Sequence, residues 1–530
     1  MTLRPELLAL APHPHSSVSF SLPLQLSVLP PPRRRRGVSG SVVERWVRHL
    51  RASPRWKPLP AGSLRHLDIV LPTLAVDATE WPVIVAPFRL DEQGLKDLAG
   101  DTRDVLFVQR SHGALSSCRL QLDDVQLHVS NMGLAILHVA FLAKQPEGVL
   151  PVGRLLDVAE SFRRMESRDR ESATSAFILP AGTVPLQLLD EVEAQVLGDA
   201  SLSKQKLHRW LPELPGGCVG LVATDFAWSL LDWALRGSGA LAPPSFAIPA
   251  VDRDPIHDYF VRTYLRVGRA ETPWWSDGDE GDLLRRFALG EAGGYAGGTV
   301  GTDEQSIVKL FRNLDENAWG VSCEGTVCLV RTDEHDGFFD HQLPGRLKSA
   351  YLVAMHLALL SRSFLLGESM RLKELARERL RAFSGQRGRV LDIRESVMQF
   401  NLQMNHHVVS TNPRHQALYD CHRRAYQVDE LHAEVKEEVG ELDEWLERVS
   451  RQTVQAFLTA LSLVALPLNI AYNYFGQQFP GVAPVGRPSE PRFLLALGVI
   501  AGAIAALMGL WTVGSSWLAS RRVRSSLHRH

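Results

Sequence analysis

Gln455, Thr459, Ser462, Asn469, Asn473 and Gln477 recur three and four residues apart once Leu466 fills the single gap. On an α-helix that spacing places them on one face. The chemistry such a row offers is non-covalent: amides and hydroxyls bind water or one another. Facing hydrocarbon without partners, each would cost several kcal/mol. The stripe must therefore meet other helices or water. Polar glue between packed helices is one solution. A water-filled pore lined by several copies of the helix is the other, and the length of the stripe favours it.

The segment carrying the stripe is apolar elsewhere. Ala456–Tyr472 reads "AFLTALSLVALPLNIAY" and Phe493–Trp511 reads "FLLALGVIAGAIAALMGLW", both without a charge and near the length that crosses a bilayer core. Pro467 and Asn469 in the first are tolerated where neighbours or water re-satisfy the backbone. A third apolar run, Ala350–Leu366, holds His356 and Arg362. It reads as a buried core helix, so two spans are expected. Arg448 and Arg451 precede the first span, and Arg521, Arg522, Arg524 and Arg529 follow the second. Basic flanks lie on the cytoplasmic side, which puts both termini there. The polar "YNYFGQQFPG" at 472–481 is then the outer mouth of a helical hairpin. Gly498, Gly502 and Ala506 form a small-residue ridge suited to close helix packing.

Upstream, Asn412 is a suitable N-cap and Pro413 suits the first helical position. Leu431, Val435, Val439, Leu442, Leu446 and Val449 then continue as an apolar seam. A helix unbroken from Pro413 to Tyr472 would extend about 90 Å. Its polar face is acidic, with Glu434, Glu437, Glu438, Glu441 and Glu444 prominent. As single residues these read as a solvated face. As a set they could concentrate or sense hard divalent cations below a pore.

Before this lie strand-like runs ("LDIVLP", "WPVIVAPF", "DVLFVQ", "RLQLDDVQLHV", "GLAILHVAFLA", "GCVGLVAT", "GVSCEGTVCLV") and amphipathic stretches such as "PVGRLLDVAESFRRM". They predict an α/β body. "SFSLPLQLSVL" near the N-terminus reads as an edge strand within a loosely ordered Pro/Arg-rich segment. With 58 Lys and Arg against 59 Asp and Glu, overall charge gives no reason to expect a nucleic-acid partner. Five scattered cysteines make no disulfide framework, and Cys323/Cys328 fit a strand better than a metal site. The glycine-rich 290–301 stretch lacks the Lys-Ser/Thr of a phosphate loop. His406, His407 and His415 read as exposed helix-end histidines rather than ligands. No nucleophile–base spacing suggests catalysis, so no catalytic residue, resident cofactor or dedicated protein metal site is expected.

The order of these segments resembles the CorA-type magnesium channel family, most sharply in the last ~120 residues. "LHVSNMGLAILHV", "AWGVSCEGTVCLV" and "YLVAMHLALLSRSFLL" are similar to its cytoplasmic strand pairs and following helix. That family closes its first span with Gly-Met-Asn; here Gly476-Gln477-Gln478 stands there, followed by Phe479. The resemblance implies an α/β cytoplasmic domain, a long stalk helix and a two-helix C-terminal transmembrane hairpin. It gives Gly476 the turn and Gln478 an amide for a hydrated cation, and implies five chains around one pore. The expected segments are a Pro/Arg-rich N-terminus (1–40), the α/β domain (41–368) and the stalk (369–455). The first span (456–474), outer loop (475–490), second span (491–514) and basic tail (515–530) follow. The function implied is a homopentameric inner- or plasma-membrane channel passing Mg²⁺-like cations, with the bilayer and its own copies as partners. The alternative is a signal-gated CorA-like effector, for example in antiviral defence, whose cytoplasmic domain binds a nucleotide-type ligand.

Overall fold

The structure, a computed structural model, describes residues 5–476 apart from 11–12, 27–37, 75–84, 112–113, 146–147, 164–174, 181–188, 195–210, short stretches between 212 and 228, 231–250, 253–259, 270–276, 290–307, 334–336 and 379–385. Two compact units divide at Glu437/Glu438. The second span, the outer loop from Gln477 onward, the basic tail and the glycine-rich stretch lie outside the described residues, whereas Phe475 and Gly476, expected in the loop, end a helix.

The first unit is mixed α/β. Its first six strands are β1 (Ser17–Leu26), β2 (Trp56–Pro58), β3 (Val85–Leu90), β4 (Asp104–Ser111), β5 (Ala114–Ser130) and β6 (Leu134–Leu142). After a two-residue pair, β7 (Lys144–Gln145) and β8 (Gly148–Val149), come β9 (Ser175–Pro180), β10 (Cys218–Val222), β11 (Val251–Asp252) and β12 (Phe260–Val267). The last are β13 (Lys309–Leu314), β14 (Asn317–Val321) and β15 (Gly325–Arg331). A thirteen-stranded sheet runs β10, β9, β4, β5, β6, β1, β12, β15, β14, β13, with β2 and β3 added beside β5 and β11 beside β1. Among the described residues, only the β12–β15 pairing is parallel.

Strand alternation gives this sheet two different faces. Val18, Phe20, Leu22, Val125, Leu127, Leu137, Val139, Phe141, Val261 and Leu265 build one apolar side. Ser19, Ser21, Asp124, Gln126, His128, His138 and Arg262 occupy the other, yet all are buried. What covers them is the helix Ala350–Glu378, packed on β6 and β1. Phe338–Leu375 is apolar enough and long enough to cross a membrane, but 83% of its most apolar window is buried inside the protein. Its apolar character serves the core, as expected for Ala350–Leu366.

The expected edge strand is central. β1 pairs β6 over nine positions and β12 on its other side. Pro23 is accommodated because the β12 pairing ends at Ser21 and the β11 pairing begins at Gln25, so no ladder bond on that side needs its missing N–H. "LDIVLP" is also not a strand. Leu64, Leu67, Val70 and Leu74 are buried at helical spacing while Ile69 is 45% exposed, and the segment folds as turns into a short helix, Leu71–Leu74.

Helix Asp277–Leu289 lies against β14 and β15 at backbone distance. A Cβ on Gly325 would meet the carbonyl oxygens of Ala288 and Val261 at 2.9 Å. Gly325→Ala is therefore expected to cost about 1–3 kcal/mol, read as a lower melting temperature of the protein. A fall under about 0.5 kcal/mol would contradict the close packing.

The approach helix is not continuous from Pro413. Helix Pro413–Ala425, capped by Asn412, ends at Tyr426, and Gln427 takes a left-handed φ of 54° before Val428–Gly476 begins. The turn is held by the core helix, since Arg362 Nη1 donates to the Tyr426 carbonyl at 2.8 Å. The first expected span is the C-terminal part of that last helix.

Candidate functional site

Three scattered histidines meet under the core helix. Arg262, a donor only, approaches His138 Nε2 at 3.4 Å, and its other nitrogen donates to the Leu347 carbonyl. His138 Nε2 must then accept, so its proton sits on Nδ1 and is donated to Ser21 Oγ at 2.9 Å. Ser21 passes its own proton toward His356 Nε2 at 2.9 Å. His356 Nδ1 donates to His128 Nδ1 at 2.8 Å, and His128 Nε2 donates to Gln126 Oε1 at 2.9 Å. The Gln126 amide donates to Asp124 Oδ2 at 2.6 Å and to the Lys348 carbonyl at 2.7 Å. Arg89 Nε closes the run on Asp124 Oδ1 at 2.7 Å. One donor-only group thus fixes every tautomer from Arg262 to Asp124.

That arrangement needs neutral imidazoles. Burial pushes His128 down to about 3 and holds His138 and His356 well below the ordinary histidine range, with Arg262 adding to the effect on both. Burial raises Asp124 despite Arg89 beside it. His422, bonded to the Leu418 carbonyl and Thr326, is pushed by burial down to about 4.

The run ends at an open cleft of about 580 Å³ lined by Lys57, Arg89, Arg103 and Lys348 among others. A β-bulge between Leu122 and Asp124 turns adjacent aspartates to one side, so that Asp123 meets Lys348 at 2.5 Å while Asp124 meets Arg89. The other cleft acids are engaged as well: Asp91 caps a helix through the Gly94 N–H and Glu92 pairs with Lys96. Arg103 holds a left-handed φ of 59°, uncommon for a side chain of that size. The cleft suits a polar anion of small-ligand size.

The stalk acids are solvated. Glu434, Glu437, Glu441 and Glu444 are exposed and Glu438 half-buried, whereas Val435, Val439 and Leu442 of the seam are buried. Lys373 stands 3.8 Å from Glu434, and Arg448 bonds Glu444 at 3.1 Å, so part of the expected repulsion is relieved by ordinary surface pairs.

In the second unit, Gln455, Thr459 and Ser462 are exposed on the helix, with Thr459 Oγ1 donating to the Gln455 carbonyl at 2.8 Å. Val454, Phe457, Leu458 and Leu461 are exposed beside them by 52% or more. Leu466, Asn469, Asn473 and Gly476 lie on the same helix.

Two histidine expectations change. His415 is buried, its ring against Tyr351 and His66, and His406 is half-buried with its carbonyl accepting from Tyr419 and Arg423; His407 is exposed. Cys323 and Cys328 lie in the β14–β15 hairpin and form no disulfide with each other.

No protein-family model matches the chain. No curated protein matches it either. Among solved structures it is similar to the complete structure of the CorA magnesium transporter from Methanocaldococcus jannaschii, at 15% identity over 50% of this chain and 94% of that one. The TM-score is 0.17, too low for the likeness to carry fold or function across.

Proposed function

We propose that this chain forms a homopentameric membrane channel for divalent, Mg²⁺-like cations. Gln455, Thr459, Ser462, Leu466, Asn469 and Asn473 line its pore, Gly476, Gln477 and Gln478 form the outer mouth, and Glu434, Glu437, Glu438, Glu441 and Glu444 gather cations inside. Both termini face the cytoplasm. The observation that carries the reading is the double exposure on residues 454–462, where large apolar side chains and a polar stripe lie bare on one helix. Lipid suits the first surface and water between copies suits the second. Native mass spectrometry of detergent-purified protein is expected to give five copies of the 58.9 kDa chain. A monomer or dimer under all mild detergents would contradict it.

The cleft favours a second reading, a signal-gated membrane effector whose soluble body binds a nucleotide-type anion. Lys57 and Arg103, beside Lys348 paired with Asp123 and Arg89 paired with Asp124, are the specific support. On this reading Lys57→Ala with Arg103→Ala abolishes retention of a fluorescent nucleotide by the purified protein; equal retention would remove the cleft from the account.

A further inference from the structure

The segment before β1 reads His13-Pro14-His15, and its geometry is that of a built turn. Ser16 N donates to the His13 carbonyl at 2.8 Å, closing a four-residue turn with proline at its second position. The turn is stitched to β12 twice: His13 N donates to the Arg266 carbonyl at 2.8 Å, and Arg266 N donates to Ser16 Oγ at 3.1 Å. Both imidazoles therefore stand on one side, their rings stacked 5.0 Å apart. Facing them is Asp340, on a π-helical turn, Phe338–Gln342, that leads toward the core helix. Such turns are rare and recur at functional sites.

The ligand atoms of His13, His15 and Asp340 lie within 4.8 Å of one another, and all three residues are half-buried. His13 Nε2 is 3.8 Å from Asp340 Oδ1. Around a tetrahedral ion with ~2.0 Å bonds, neighbouring ligand atoms are roughly 3.3 Å apart, so small rotations suffice. His341 adds a third imidazole, its ring 5.7 Å from that of His15. The buried Arg266 guanidinium pairs with Asp340 Oδ1, the oxygen that also faces His13, so an ion would bind through Oδ2 while Oδ1 is oriented by its partner. His13 Nδ1 accepts a long 3.4 Å bond from His15 N, and coordination through Nε2 exchanges that weak contact for a metal bond.

We propose that His13, His15 and Asp340 bind a divalent transition metal such as Zn²⁺, Co²⁺ or Ni²⁺, separate from any permeant Mg²⁺. Two imidazoles and one carboxylate select borderline ions over Mg²⁺, which prefers oxygen and retained water. The ion would fasten the start of the central strand β1 to the turn preceding the core helix.

The test is calorimetric titration of the chelator-stripped full-length protein with Zn²⁺ in the presence of excess Mg²⁺, paired with Co²⁺ absorption spectra. The expected result is one Zn²⁺ per chain, undisturbed by Mg²⁺, a visible Co²⁺ spectrum of a nitrogen-ligated site, and a raised melting temperature. His15→Gln is expected to weaken binding by at least about tenfold and change the Co²⁺ spectrum, while His407→Gln at the exposed histidine leaves both unchanged. Asp340→Asn should also weaken binding; if loss of the Arg266 pair unfolds it, His15→Gln alone carries the test. Absent Zn²⁺ binding, displacement by Mg²⁺, or full affinity in His15→Gln would each overturn the site.

Discussion

Acidifying the protein from pH 7 to pH 5 is expected to bring its first unit close to unfolding. His128, His138, His356 and His422 all have folded-state affinities for protons held down by burial. A depressed folded pKa means that stability is intact above the unfolded histidine value near 6.5 and is lost as pH falls below it, because the unfolded chain takes up protons that the fold refuses. Each such histidine contributes about 1.4 kcal/mol per pH unit in that window, so four give on the order of 5 kcal/mol per unit. Asp124, Asp157 and Glu368 oppose this, since burial raises their values and makes the fold the better proton acceptor at low pH, but His15, His66, His406, His415 and His432 are held down by burial as well and act with the four. Against a typical domain stability of about 5–15 kcal/mol, the loss is large. Urea midpoints measured from pH 8 to pH 5 should fall steeply below pH 6.5. His356→Leu should lower the midpoint at pH 8, since the Ser21 hydroxyl proton and His128 Nδ1 each lose the bond to His356 at about 1–3 kcal/mol, yet flatten the pH dependence. Midpoints that do not change between pH 7 and 5 would contradict the neutral histidine run.

The second large effect belongs to the polar stripe. In the proposed pentamer, Asn473→Leu would place five leucines where the amides would meet water. An apolar ring gates by excluding water, and a barrier raised by at least about 1.4 kcal/mol slows permeation roughly tenfold or more. Ser462→Leu should act in the same direction, and neither should dissociate the oligomer. Unchanged flux in both variants would show that this face packs against protein rather than lining a pore.

Much of the fold is legible in the residues, and the misreadings have physical causes. The alternation in "RLQLDDVQLHV" and "GLAILHVAFLA" gives β5 and β6 directly. The same alternation, however, reads as a buried face and a wet one, and here the polar face is buried under helix Ala350–Glu378. His128, His138 and His356 lie up to 228 positions apart, so no spacing announces that they touch. The one available sign is His356 itself, an imidazole within the apolar run Ala350–Leu360. Pro23 points to an edge strand only if both neighbours pair along the whole length of β1, and they do not. Tyr426-Gln427 carries no helix-breaking residue, and the break there is imposed by tertiary contact with Arg362. The His13-Pro14-His15 turn brings two imidazoles together, but the proposed third ligand, Asp340, is more than 300 residues away and only the fold supplies it.

The most direct test of the account is Mg²⁺ flux into proteoliposomes containing the purified oligomer, with internal Mg²⁺ varied and Asn473→Leu run in parallel. The account predicts flux that falls as internal Mg²⁺ rises and is lost in the variant. Silence from a correctly assembled wild-type oligomer under every condition, or equal flux in wild type and Asn473→Leu, would contradict it.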